Sequence, residues 1–151
     1  GRPGTHRRFA PLMNRIPEVP NLAYLGEQPI ERVNQLLSQA SIYVNTSSFE
    51  GFPNAFLQAW GRGAVVASVA VDPDGVMESN RIGYCTGSFE ALRSRVEELA
   101  RSPDERRAVA ERAFAFAHKH HSLAGAAKLA NLMLDATVMR HASQAPTLTS
   151  Q

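Results

Sequence analysis

The residues best equipped for chemistry lie in one short stretch, Thr46-Ser47-Ser48-Phe49-Glu50-Gly51-Phe52-Pro53-Asn54. The apolar run Ile42 to Val44 leads into it, and a helix starts at Asn54. Gly51 lets backbone approach a ligand closely, and Pro53 suits the first turn of that helix. The amides of Asn54, Ala55 and Phe56 lack intrahelical partners there and would favour an anion or a bound hydroxyl oxygen. Glu50 is a carboxylate just outside the positive helix end, a setting that keeps it ionised. Gln58 lies eight residues further on. At a rise of about 1.5 Å per residue it stands roughly 6 to 8 Å along the axis from the helix start. A carboxylate and an amide so spaced can grip different parts of an extended, hydroxyl-rich ligand. Local physics leaves each a plainer role as well: Glu50 as a helix-start charge, Gln58 as a core amide bonded to backbone.

The elements that position this stretch follow from apolar patterning. Leu22 to Leu25, closed by Gly26, reads as a strand, as do Ile42 to Val44, Ala64 to Val71 and Ile82 to Cys85. Between them fall helices: Ile30, Val33, Leu37 and Ala40 at helical spacing behind Pro29, then a buried helix from Asn54 to Arg62. The first twenty residues are broken by five prolines and glycines and allow one short helix between Phe9 and Ile16. The last third is helical. Phe89, Leu92, Val96 and Leu99 share one face, and Val109, Ala113, Phe116 and Ala117 another. Ser102, Pro103 and Glu105 form a capping box between these two helices, and Ser122 caps a last helix through Thr137. The polar residues 141–151 read as a frayed tail after a domain of residues 1–140.

Short apolar strands without period-two alternation, interleaved with helices, indicate a parallel sheet covered on both faces. The fold class is therefore α/β, a Rossmann-like three-layer domain with about four short strands and a helical C-terminal third. In such sheets ligands gather beyond the carboxyl ends of the strands. Three junctions qualify: Gly26 to Pro29, Ser47 to Asn54, and Val71 to Met77.

Composition narrows the class without naming a ligand. With 44% hydrophobic and 20% charged residues, the chain is globular and not disordered. A net charge of +2, interleaved along the sequence, gives no nucleic-acid footprint. The single cysteine, Cys85, excludes an internal disulfide framework, suits a reducing compartment and reads as a buried small hydrophobe in a strand. The longest weakly polar stretch, Ala64 to Val71, has eight residues, against about twenty for a membrane span. No signal peptide is visible, and a start at Gly1 points to a piece of something longer. Trp60 and Phe56 read as core. His118, His120 and His121 fit an exposed helix end better than a metal site. Asp72 and Asp74 flank a proline turn that explains them, with a magnesium role as the alternative. Arg93, Arg95, Glu97, Glu98, Arg101, Arg106 and Arg107 read as a solvated helix surface.

The run from Ser47 to Gly63 resembles the donor-site signature of the group 1 (family 4) glycosyltransferases of GT-B fold. That signature has a serine, an E-G-F-P stretch, and a helix with a second acidic residue eight places after the first. Asn21 to Gly26 is similar to the family's strand near the nucleotide base. The resemblance extends from about Gly1 to Ala136. It implies a retaining glycosyltransferase that takes a sugar from a nucleotide-diphosphate donor, with no metal or other cofactor. By the same resemblance Glu50 contacts donor-sugar hydroxyls near the transferring carbon as the catalytic residue. Gly26, Ser47, Gly51, Phe52, Pro53, Asn54 and Gln58 bind the donor, Pro53 through its carbonyl and Gln58 at the ribose diol. Gln58 departs from the family's acid, so that hydrogen bond is neutral, worth about 0.5–1.5 kcal/mol against roughly 1.5–3 for a charged one.

The family's diphosphate-clamping Arg and Lys precede the stretch matched here, and its acceptor is bound by a separate N-terminal domain. The resemblance thus implies a fragment inactive alone, with an exposed sheet edge. It also implies a cytoplasmic parent with peripheral membrane association as an option. A non-catalytic nucleotide-sugar-binding module and a GT-B sugar-nucleotide epimerase are the alternative functions.

Overall fold

A computed structural model describes residues 9–121 of the chain. The alternation of helices and short strands holds. Three parallel strands, β1 (Ile42–Asn45), β2 (Val65–Ser68) and β3 (Gly83–Cys85), form a sheet in the order β1-β2-β3. Ile42 stands opposite Val65 and Val66 opposite Gly83, which sets the register of the whole sheet. The helices are α1 (Phe9–Arg15), α2 (Ile30–Gln39), α3 (Asn54–Trp60), α4 (Val76–Asn80), α5 (Phe89–Arg101) and α6 (Pro103–His120). The architecture is mixed α/β and Rossmann-like.

The chain divides into two compact units, residues 1–36 and 37–151. In the first, α1 runs into a 3-10 turn, Ile16–Glu18, closed by the Val19 amide on the Ile16 carbonyl at 3.1 Å. The expected strand at Leu22 to Leu25 is instead irregular, with Leu22 and Leu25 exposed. A four-residue apolar run becomes a strand only where a ladder satisfies its amides and carbonyls. Among the described residues this one has no such ladder. Gly26 follows at φ +65°, a left-handed turn that glycine adopts without strain.

In the second unit the core is built on β2. All four of its residues are buried, and successive strand residues point to opposite faces, so both faces are covered. Val65 packs with Leu99 of α5 and Val109 of α6, while Ala67 and Val69 pack with Leu92 of α5. Helix α3 also lies on β2 and brings in Phe56, Ala59 and Trp60, all fully buried. The Trp60 ring meets Phe56 edge-on at 6.0 Å and Phe116 of α6 at 5.8 Å, and Phe56 meets Tyr43 of β1 at 6.1 Å. Edge-to-face pairs of this kind add about 0.5–1.5 kcal/mol each beyond their buried area.

Four readings from sequence change. Ser102 is the N-cap residue of α6 but its hydroxyl makes no capping bond. Glu105 is drawn away to the Tyr84 hydroxyl at 2.8 Å and to Arg95 at 3.2 Å, so the capping box does not form. Arg95 and Arg106 are not merely solvated. Arg95 lies over the Tyr84 ring at 4.5 Å, and Arg106 donates to the Leu99 and Ala100 carbonyls that end α5. Cys85 is exposed, because β3 is an edge strand and its last residue has lost cover. Phe89, the first residue of α5, is exposed too, whereas Leu92 and Leu99 are buried as the spacing requires. The last helix and the tail fall outside the described residues.

Gly83 carries a packing constraint that its φ does not reveal. A β-carbon there would stand 2.8 Å from both the Met77 sulfur and the Val66 carbonyl oxygen. Overpacking of this kind costs about 1–3 kcal/mol. Gly83→Ala is expected to lower the unfolding free energy by that amount, read as a lower urea midpoint at unchanged slope; an unshifted midpoint would show that Met77 and the Val66 carbonyl both give way freely.

Candidate functional site

The site begins where two neighbouring strands end. Asn45 closes β1 and Ser68 closes β2; they are register partners, and both are buried. Buried polar side chains need partners, and each of these finds one that bends the chain. The Asn45 carbonyl oxygen Oδ1 accepts from the Ser47 amide at 2.6 Å, an Asx turn. Its Nδ2 donates to Glu50 Oε1 at 3.0 Å. Ser68 Oγ accepts from the Val71 amide at 3.0 Å. The Asp72 carboxylate then accepts from the Met77 amide at 2.8 Å and the Glu78 amide at 3.2 Å, fixing the turn before α4. Within that turn Asp74 has φ 53° and Gly75 φ 66°, two left-handed residues in succession. Aspartate tolerates this conformation better than most side chains.

The two loops diverge from the strand ends and enclose an open hollow of about 470 Å³, lined by residues 48–52 and 70–74. It thus joins two of the three junctions that the sequence nominates. Phe52 fixes the first loop from behind, its ring 6.2 Å from Trp60 and 5.3 Å from His121. Phe49, one residue before the carboxylate, is 88% exposed. Glu50 stands on this wall, itself exposed. Hydrogen bonds from the Ser47 side chain first, and the Asn45 amide second, hold its carboxyl below the usual carboxylate range. Side chains at the strand end thus help to keep this carboxylate ionised.

The other site candidates separate. Gly51 and Phe52 line the hollow with Glu50, and Ser47 sits behind it as a support. Pro53 is buried at the N-cap of α3 and not in its first turn; its carbonyl takes the Phe56 amide at 2.9 Å, so that amide is spent within the helix. Asn54 is exposed. Gln58 is half-buried and does not line the hollow; its backbone carbonyl holds the Arg62 guanidinium at 3.1 Å. Gly26 lies in the other unit. Sequence reasoning missed Asn45, although an asparagine ending an apolar run two residues before a serine is the signal of such a turn. It placed Asp72 in a turn, and the turn is there, held by the Met77 and Glu78 amides.

A second hollow of about 440 Å³ flanks β3, lined in part by Tyr84, Cys85, Arg95 and Glu98. Its cation is engaged: Arg95 pairs with Glu98 at 3.1 Å and with Glu105 at 3.2 Å. Burial first, then nearby Asp72, pushes the Cys85 thiol up, which disfavours a reactive thiolate. This hollow is less suited to an anion or to nucleophilic chemistry than the first is to a hydroxyl-rich ligand. His118, His120 and His121 end α6 exposed, with His118 stacked 4.0 Å from Phe114 and His120 4.6 Å from Phe116. Among the described residues no three His, Cys, Asp or Glu side chains converge on a metal position.

The depressed Glu50 titration can be checked directly. Its contribution to stability is present above the ordinary glutamate value, about 4.3, and is lost as pH falls through the lower folded value. Ser47→Ala removes the first-ranked donor. The Glu50 carboxyl titration, followed by NMR, should move upward toward the ordinary value, and an unmoved titration would mean that Ser47 does not hold the charge.

Comparisons with known proteins give one result at the level of family. No curated protein and no solved structure matches the chain. Among the described residues no helix is long and apolar enough to cross a membrane. A family model described as glycosyl transferase-like matches residues 5–130, which include both strand ends and the loops that leave them. The chain belongs to the glycosyl transferase-like family.

Proposed function

We propose that this chain is the donor-site part of a retaining glycosyltransferase, and that the hollow beyond β1 and β2 receives the sugar of a nucleotide-diphosphate donor. The observation that carries this reading is Glu50: an ionised carboxylate on the wall of an open hollow, held by Ser47 and Asn45. Such a group accepts hydrogen bonds from sugar hydroxyls and keeps its orientation without reorganising as the reaction proceeds. Gly51 and Phe52 offer backbone close to the same ligand.

In the reaction the bond from the anomeric carbon to the diphosphate oxygen breaks, and the bond to the acceptor hydroxyl forms on the same face. The nucleoside diphosphate departs with the electron pair, and its leaving oxygen takes up the proton of the acceptor hydroxyl. Glu50 acts by fixing the sugar hydroxyls near the reacting carbon. The described residues that line the hollow include no Lys, Arg or His. On this reading the cations that offset the leaving diphosphate stand outside the hollow; the family resemblance implies that they and the acceptor site belong to a longer parent, with the fragment inactive alone. The same absence favours a second reading, a module that holds a nucleotide-sugar without transferring it. Gln58, which lies off the hollow, serves the nucleotide end in either case.

Glu50→Gln keeps an acceptor for Asn45 and removes the charge. In the full-length parent it should lower turnover about 10²–10³-fold, with an unfolding midpoint close to that of the native protein. Unchanged turnover would refute the catalytic assignment. Turnover absent from the native parent, alongside tight donor binding, would establish the binding module. Gln58→Glu should fold normally and bind donor at least as tightly; loss of fold would make Gln58 a core amide.

A further inference from the structure

The charge and shape of the hollow select among sugars. On one wall stand Glu50 and the exposed Phe49; on the other stands Asp74, exposed and in a left-handed conformation. The third carboxylate, Asp72, is occupied by the two amides at the start of α4. Among the described residues that line the hollow, none offsets these charges with a cation. At 88%, Phe49 is the most exposed of the large apolar side chains among the described residues, and it is next in sequence to Glu50. An aromatic ring left open beside a fixed acceptor matches the two faces of a sugar ring, one formed of C–H groups and one of hydroxyls. The volume, about 470 Å³, falls within the ordinary range for small-molecule sites.

We propose that the ring seated here is an uncharged hexopyranose, its C–H face on Phe49 and its hydroxyls toward Glu50, and that Glu50 and Asp74 together reject hexuronic acids. This rests on the donor-site reading above and deepens it, because it names the class of sugar. The selection has an attractive part, the aromatic face, and a repulsive part, two like charges opposed to a uronate. Phe49 is then a specificity-determining residue, and Asp74 a charge filter on the opposite wall.

The test uses the natural full-length chain and calorimetric affinities for UDP, UDP-glucose and UDP-glucuronate, with GDP, GDP-mannose and GDP-mannuronate as a second series. In the series that binds, the uronate should bind about tenfold or more weakly than the uncharged hexose. Phe49→Leu should shrink the ratio of hexose-conjugate to free-diphosphate affinity about three- to tenfold, and Phe49→Tyr should restore it. Asp74→Asn, which keeps a residue tolerant of positive φ, should narrow the uronate penalty. A uronate bound within twofold of its hexose overturns the charge filter. Equal weakening of free diphosphate and hexose conjugate by Phe49→Leu overturns the stacking role. Failure of both diphosphates and all conjugates to bind defeats the donor-site reading itself, and this inference with it.

Discussion

The arrangement depends on one buried amide. Asn45 sits at the end of an edge strand with almost no access to water, so both ends of its side chain need partners. It meets that need locally: Oδ1 turns the backbone at Ser47, and Nδ2 reaches forward to Glu50. The first bond ends the strand, and the second fixes the position of the carboxylate. Removing this amide would leave the part-buried Ser47 N–H without its acceptor, at about 1–3 kcal/mol, and would release the loop that carries the charge. Ser68, its register partner, does the corresponding work on β2 through the Val71 amide. Two adjacent strand ends that each bend their chain by a side-chain bond leave an opening between them. The hollow is therefore a consequence of the strand register.

Packing behind the loop makes that opening durable. Phe52 is the one residue that both lines the hollow and rests against the aromatic cluster of Trp60 and His121. Trp60 in turn contacts Phe56 of its own helix and Phe116 of α6. A shift in α6 would thus reach Phe52 through rings, and Glu50, two residues away, through the backbone of the loop. The division of labour is physical: hydrogen bonds set the direction of the carboxylate, and buried rings set the position of the loop that bears it.

Much of this was legible in the sequence, and what was not has identifiable causes. The runs at Ile42, Val65 and Gly83 became strands because each has a neighbour in the sheet; the similar run at Leu22 has no ladder among the described residues and is irregular. Four apolar residues look alike in both cases, since the ladder partner is remote in sequence. The loop from Ser47 to Asn54 was legible as a candidate wall because glycine, proline and a carboxylate cluster there between a strand and a helix, and residues 48–52 do line a hollow. Local spacing pointed to the helix end as a support for the carboxylate's charge, and the fold adds a nearer one, the Asn45 amide at 3.0 Å from Glu50. Glu105 shows the same limit from another side. Its spacing from Ser102 fits a capping box, but Tyr84 and Arg95, distant in sequence, compete for it and win. Local patterns state what a residue can do, and long-range contacts decide which option it takes.

If the hollow takes the donor proposed above, its charge assigns different places to the two ends of a nucleotide-sugar. Glu50 is ionised through the neutral range, and the turn opposite it adds Asp74. Two like charges about 4 Å apart repel by about 1 kcal/mol in water and by about 4 kcal/mol at the effective dielectric of a protein surface. A diphosphate carries more than one charge, so its placement deep in this hollow would sum several such terms against a total binding energy of only about 8 kcal/mol for micromolar affinity. Under the donor-site reading the diphosphate must therefore lie outside the space between the two loops, against cations supplied from elsewhere. The sugar alone enters. That geometry gives the carboxylate a mechanistic advantage: it can hold the sugar hydroxyls while the negative charge of the leaving group develops at a distance, where its repulsion is weaker and other groups offset it.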